Sequence, residues 1–214
     1  MSLEKKLQQG LRGLHVELHA DVRAKLLQFL ALLERWNRAY NLTAVRDIEE
    51  MLPRHLLDSL SVLPYLRGPR VLDVGTGAGL PGIPLALARP DCEFILIDRN
   101  AKKLRFVRQA IHELGVKNAD TVHTAAEQFQ PQQPFQTVIA RALTAIPDML
   151  NGCRHLCAAD GAVLAMKGVY PETEIAAVDA GFQVRDVVRL TVPGLEAARH
   201  LVILEPAGGN EQHK

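Results

Sequence analysis

Val71-Leu72-Asp73-Val74-Gly75-Thr76-Gly77-Ala78-Gly79-Leu80-Pro81-Gly82 is the stretch from which the rest of the chain is read. A short apolar run, Val71 to Val74, ends in three alternating glycines, and Ile83 to Arg89 reads as the helix that follows. Glycine is required where the backbone takes a positive φ or where a ligand lies against the main chain. A helix starting after such a turn presents free N–H groups to an anionic or polar ligand. A dinucleotide fingerprint needs Gly-x-Gly-x-x-Gly, but the residue three beyond Gly77 is Leu80. A phosphate-binding loop needs Gly-Lys-Ser/Thr, and none follows. What remains is an acid, Asp73, two residues before a Gly-x-Gly-x-Gly run.

Downstream the texture alternates. Phe94 to Asp98 is a second apolar run, followed by a basic helix from about Lys102 to Leu114. Thr121–His123, Thr137–Ala140 and Ala162–Met166 read as the third to fifth strands, with helices over Ile146–Leu156 and Thr173–Ala180. Gln183–Leu190 and Leu201–Glu205 read as an antiparallel hairpin. Repeated strand–helix units imply a parallel sheet covered on both faces, with ligands beyond the carboxyl ends of its strands. A closing antiparallel pair separates methyltransferase-like sheets from dinucleotide-binding ones. Upstream the chain is helical. Asp21 is a plausible N-cap before Ala24, Leu26, Leu27, Leu30, Leu33 and Trp36, which follow a period near 3.6. Asn41-Leu42-Thr43 interrupts it, and a second helical stretch, Ile48 to Leu63, carries Pro53, which would kink it or start its latter part. The expected organisation is a helical extension over residues 1–66, a Rossmann-like α/β domain over 67–207 and a polar tail over 208–214.

The acid and glycine run resembles the first motif of class I S-adenosylmethionine-dependent methyltransferases, in which the acid sits near the positive methionine end of the cofactor. Asp98, 23 residues after Gly75, ends the second strand, where a carboxylate accepts hydrogen bonds from both ribose hydroxyls and excludes a 2′-phosphate. Ala126-Glu127 follows the third strand, where such folds contact the adenine, and Arg141 follows the fourth, beside the expected methyl-transfer position. The cofactor set expected here is Asp73, Gly75, Thr76, Gly77, Gly79, Leu80, Asp98, Ala126, Glu127 and Arg141. A tight strand–helix turn without a ligand is the competing account of the glycines, and a surface ion pair or cap that of Glu127 and Arg141.

Trp36-Asn37-Arg38-Ala39-Tyr40-Asn41-Leu42-Thr43-Ala44-Val45, Arg54-His55-Leu56-Leu57-Asp58-Ser59, Leu80-Pro81-Gly82, Ala140-Arg141-Ala142, Met166-Lys167-Gly168 and Arg199-His200-Leu201 resemble, in order, the bacterial RsmG (GidB) family, from about residue 20 to residue 206. The resemblance implies N7-methylation of one guanine in a decoding-region hairpin of 16S ribosomal RNA, as free RNA or in a small-subunit particle. It also implies cofactor contacts at Gly75, Leu80, Ala126-Glu127 and Arg141. One departure is Ala140, where the family more often has serine.

Guanine N7 carries an in-plane lone pair and no proton, so its methylation needs no general base and no covalent nucleophile. Holding N7 in line with the methyl–sulfur bond at about 3–3.5 Å is the main task, worth up to ~7–11 kcal/mol in intramolecular models. Exocyclic-amine methylation goes with an Asp/Asn-Pro-Pro-aromatic loop, but the fourth strand is followed by Arg141-Ala142-Leu143-Thr144. Cytosine C5 methylation needs a nucleophilic cysteine, usually after proline, and Cys92, Cys153 and Cys157 are not so placed.

A formal net charge of +1 leaves any RNA-binding surface to local patches. Lys102, Lys103, Arg105 and Arg108 form the densest cluster, with Arg54, His55, Lys167, Arg199 and His200 as further phosphate-binding candidates. A solvated helix face is the alternative for the first group, and an internal ion pair with Asp58 for Arg54-His55. Trp36 and Tyr40 read as core of the helical segment. His15 and His19, four apart, lack the His-Glu-x-x-His pattern of a metal site. Three cysteines without a CxxC pair argue against a disulfide framework or zinc knuckle, and Cys153 and Cys157 read as helix packing. The first residues carry no leader-like apolar run, and no segment approaches the ~18 apolar residues of a membrane span. The expectation is a cytoplasmic, monomeric enzyme with no DNA, membrane or metal partner.

Overall fold

The computed structural model describes residues 1–141 and 144–208. Ala142 and Leu143, and all of the expected polar tail except Gly208, lie outside the described residues.

Helix α1 (Leu3–Gly13) starts at Ser2, whose side chain accepts a hydrogen bond from the Lys5 amide. Helix α2 (Ala20–Tyr40) is capped at His19 rather than Asp21. Asp21 lies inside the first turn, where its charge still complements the helix dipole. His15, with φ 55°, and His19 flank the connection between α1 and α2, so the two histidines do not share a helix face. The stretch read as a second helix is composite: α3 (Ile48–Met51), a π-helical segment Leu52–Leu57 with Pro53 in its first turn, and α4 (Asp58–Leu60). Proline removes a backbone donor, and the wider π turn accommodates the break.

The α/β part runs β1 (Arg70–Val74), α5 (Gly82–Ala88), β2 (Glu93–Asp98), α6 (Ala101–Leu114), β3 (Ala119–His123), β4 (Phe135–Arg141), α7 (Ile146–Cys153), β5 (Cys157–Lys167), α8 (Glu172–Ala176), β6 (Phe182–Arg189) and β7 (His200–Pro206). Among the described residues the strands form one sheet in the order β3-β2-β1-β4-β5-β7-β6. β1 to β5 pair in parallel and β7 runs antiparallel between β5 and β6. Cys157 opens β5 instead of ending a helix, so Cys153 and Cys157 do not pack as helical neighbours.

Alternation along the strands sends residues to two cores. Val71, Phe94, Leu96, Ile139 and Leu164 face α5, α6 and the N-terminal helices, whereas Leu72, Val74, Ile97, Val138 and Val163 face α7. Phe106 of α6 meets Phe29 and Trp36 of α2, with ring centroids at 6.1 and 5.7 Å. The N-terminal helices therefore complete one covering layer of the sheet, and the core does not divide near residue 66. The entry into the sheet is fixed by the buried Thr137 hydroxyl, which accepts from Arg67 N at 2.7 Å and donates to Arg67 O at 2.9 Å. Trp36 stacks on Tyr40 at 5.2 Å, but Tyr40 itself is half exposed and not core.

Candidate functional site

Strand register brings the sequence-distant candidates to one level. Val74 pairs with Ile97 on one side and Ala140 on the other, so Gly75, Asp98 and Arg141 all follow directly at the carboxyl edge. Arg141 pairs with Met166, which puts Lys167 one step beyond, opposite His200. The chain order reverses between β1 and β4, the place where open α/β sheets hold ligands. A cavity of about 1000 Å³ opens there.

One half of the cavity is walled by the glycine turn, Asp98, Ala126, Glu127, Met149 and Gly152. Gly75, Gly77 and Gly79 have φ of 66°, 58° and 79°, a region costly for residues with a Cβ. At Gly77 an added Cβ would meet nothing closer than 3.9 Å, so the space over the turn is open to a ligand. Asp98 Oδ2 accepts from Gly77 N at 2.8 Å and Oδ1 from Asn100 N at 2.7 Å. Each oxygen keeps acceptor capacity for a hydroxyl. Glu127 is held bidentately by Arg99 Nη2 at 2.8 and 2.7 Å. Its own backbone amide, then Arg99, lower the Glu127 pKa. Arg99 was not singled out from the sequence, where its only signal is a charge immediately after a strand-ending acid.

Asp73 stands behind this wall, not on it. Fully buried, its Oδ2 accepts from Thr76 Oγ1 at 2.6 Å and Gly82 N at 2.8 Å, tying the turn to the start of α5. Oδ1 is buried without a partner among the described residues. Burial raises the Asp73 pKa to about 6 against the opposing bonds from Thr76 and Gly82. Asp73 is thus not among the residues that line the cavity and braces the glycine turn from inside. Thr76, Gly79 and Leu80 are buried in the same turn.

The other half of the cavity is polar and is built partly by the N-terminal segment. Asp58, 3% exposed in its side chain, accepts from Arg141 Nη1 at 3.2 Å on Oδ2 and from Arg199 Nε at 2.9 Å on Oδ1. Arg141 also donates to the Arg54 carbonyl at 3.3 Å. The ion pair expected between Asp58 and Arg54-His55 thus exists with other partners, and Arg54 itself turns outward toward Glu50 at 3.8 Å. His55 is buried and its Nε2 hydrogen-bonds Thr43 Oγ1 at 2.8 Å. Burial, then the charge of Arg141, lowers its pKa to about 4, so it is neutral at pH 7 and adds no third cation. His55 nevertheless lines the cavity, as a neutral ring and not as a cation.

The remaining basic candidates separate. Lys102, Arg105 and Arg108 are exposed on α6, with Arg108 Nε bonded to Thr121 Oγ1 at 2.9 Å. Lys103 bends over the glycine turn and lines the cavity. His200 lies at the cavity mouth, its Nδ1 2.8 Å from the Gly168 carbonyl and its ring edge-on to Tyr170. Lys167 also lines the cavity, where its ammonium is ion-paired with Glu174 at 2.7 Å and donates to the Thr144 carbonyl at 2.7 Å. Among the described residues no group of three or more His, Cys, Asp or Glu is placed to hold a metal ion, and no helix is long and apolar enough to cross a membrane.

A cavity with an open glycine cradle, a strand-end carboxylate and a separate arginine pair fits a nucleoside ligand beside a second, anionic or polar substrate. Comparison with known proteins agrees in kind. The sequence model of GidB, described as rRNA small subunit methyltransferase G, matches residues 22–202. A protein of Marinobacter nauticus named ribosomal RNA small subunit methyltransferase G is 49% identical over 98% of this chain and 96% of its own. One of the same name from Nitrosococcus oceani is 50% identical over 95% of each chain. Among solved structures, a SAM-dependent methyltransferase from Aquifex aeolicus matches with a TM-score of 0.59 at 20% identity, covering 72% of this chain and 92% of that one. The O-methyltransferase TomG from Streptomyces achromogenes, solved with SAM, gives 0.59 at 16% identity over 97% of this chain and 100% of its own. The fold is that of S-adenosylmethionine-dependent methyltransferases.

Proposed function

We propose, because the chain belongs to the GidB family (rRNA small subunit methyltransferase G), that it methylates N7 of one guanine in the decoding-region hairpin of 16S ribosomal RNA, with S-adenosylmethionine as donor. The observation that carries the reading is the single cavity in which the glycine turn and Asp98 face the paired arginines Arg141 and Arg199. When bound, S-adenosylmethionine supplies an electrophilic methyl on a positively charged sulfur.

The chain's own residues then have positional work. Gly75 and Gly77 let a nucleoside approach the backbone, Asp98 receives its ribose hydroxyls, and Glu127 with Ala126 borders its base. Arg141, held from two sides by Asp58 and the Arg54 carbonyl, orients the target nucleotide. N7 has no proton to lose, so no side chain needs to act as a base. The ring becomes cationic as the bond forms, and a nearby carboxylate helps more than further positive charge. Asp58 offsets the two arginines, and neutral His55 keeps the local charge from rising. Arg54, Lys103 and His200 supply phosphate contacts at the cavity, Lys102 and Arg105 extend them over the exposed face of α6, and Arg199 adds its outer nitrogens. The enzyme acts in the cytoplasm as a monomer.

The test is a deletion strain. Its 16S RNA should lack one 7-methylguanosine, and purified protein with labelled S-adenosylmethionine should restore it in small-subunit particles or the isolated RNA. Label in a position resistant to N7-specific chain cleavage would refute the assignment of atom. No label in ribosomal RNA would refute the substrate.

A further inference from the structure

Lys167 ends β5 at the carboxyl edge of the sheet, where a free lysine would be a natural phosphate contact. Its side chain, 15% exposed, borders the cavity but is engaged by two protein partners. Nζ donates to the Thr144 carbonyl at 2.7 Å and to Glu174 Oε2 at 2.7 Å. The same Glu174 oxygen accepts the backbone N–H of Ile146 at 2.7 Å. Ile146 is the first residue of α7, preceded by Ala145, which offers no capping side chain. Glu174 therefore satisfies an otherwise orphan helix donor and sets a negative charge at the positive end of the helix. α7 carries Asp148, Met149 and Gly152 to the cavity wall, and Thr144 lines it as well.

We propose that Glu174 and Lys167 act as one clamp: positioning residues that fix Thr144–Ile146 and thereby the stand of α7 against the cavity, Lys167 making no contact with RNA phosphate. The identity of what is positioned rests on the function proposed above; the clamp itself rests on the three bonds. Its logic is mutual. Lys167 brings the Thr144 carbonyl and the Glu174 carboxylate together, and Glu174 transfers that placement to the Ile146 amide. Either residue alone leaves a charged group partly buried without its partner, so the two should fail together.

The experiment uses the full chain with Lys167→Met, Glu174→Ala, the double variant, and Glu174→Gln, which retains an acceptor near the Ile146 amide. Hydrogen exchange at the Ile146 amide, read by NMR without ligand, should quicken at least tenfold in the first three and recover in Glu174→Gln. Single-turnover methylation of the unmodified 16S hairpin should slow at least tenfold in Lys167→Met and Glu174→Ala, with the double variant no slower than the worse single one. Binding of that RNA should keep its dependence on salt. Were Lys167 instead a phosphate ligand, its replacement by methionine would flatten the slope of log affinity against log salt by about 0.7–0.9. That flattening, unchanged exchange at Ile146, or additive losses in the double variant would each overturn the clamp. Should the wild-type protein transfer no methyl to the RNA, the functional reading fails, while the exchange measurement still decides the clamp.

Discussion

Asp98 joins two requirements in one carboxylate. It fastens Gly77 and Asn100 through their amides, and it presents the remaining lone pairs to the cavity. Two charge-assisted hydrogen bonds to a ribose are worth about 1.5–3 kcal/mol each. Asp98→Ala should therefore weaken S-adenosylmethionine binding by roughly a hundredfold or more in calorimetry; unchanged affinity would remove Asp98 from the site. Gly82 is a different kind of position. A Cβ there would come within 2.6 Å of Asp73 Oδ2 and 2.7 Å of Leu96 Cδ2, inside a buried turn with little room to shift. Gly82→Ala should cost about 1–3 kcal/mol of stability in urea unfolding, as overpacking does, and a stability equal to wild type would contradict this packing. Both positions were readable from the sequence, Gly82 because it belongs to a contiguous motif whose backbone needs are local and Asp98 because it ends the next strand at the expected spacing. The inward turn of Asp73 was not, because nothing in the motif says which side of the loop its side chain takes.

At the scale of elements, the strand–helix alternation and the closing hairpin were legible, since short apolar runs separated by polar turns and amphipathic helices are local signals. The errors lie where tertiary pairing overrides local pattern. β5 begins at Cys157, in Cys157-Ala158-Ala159-Asp160-Gly161, which has little apolar alternation and extends by pairing with β4 across a register shift. The π segment at Leu52–Leu57 shows only as a misplaced proline. Side-chain partners were the least legible part of the site: Glu174, Arg99 and the two arginines on Asp58 meet through contacts between distant segments, which spacing does not encode. Asp58 illustrates the consequence. It joins the N-terminal segment to the end of β4 and the start of β7. Asp58→Ala would leave the part-buried Arg141 and Arg199 without the carboxylate they share, and breaking a buried pair by removing one partner costs about 3–5 kcal/mol. Urea unfolding should show a loss of that order, together with loss of methyl transfer. A loss below about 1 kcal/mol would mean that the arginines are solvated and the bridge is not structural.

The helical segment and the sheet share one core, so the molecule should respond to pH as one cooperative unit. Two buried groups from its two parts titrate in opposite senses. Asp73 has a folded pKa of about 6, above the ordinary 3.8, so its contribution is fully present below pH 3.8 and is lost as pH rises to 6. His55 has a folded pKa of about 4, below the ordinary 6.5, so its contribution is present above pH 6.5 and is lost as pH falls to 4. Between about pH 4 and 6 the folded state holds one proton more than the unfolded at Asp73 and one fewer at His55, and the two slopes cancel. Each alone amounts to about 1.4 kcal/mol per pH unit at most. Relative to wild type, Asp73→Asn should gain stability as pH rises through this window, and His55→Gln should lose it. Other titrating groups are common to all three proteins and drop out of the differences. Urea unfolding at half-unit steps from pH 4 to 7 reads both differences. Curves that stay parallel to wild type would mean that neither group titrates as its burial dictates, and the neutral His55 beside Arg141 would lose its basis.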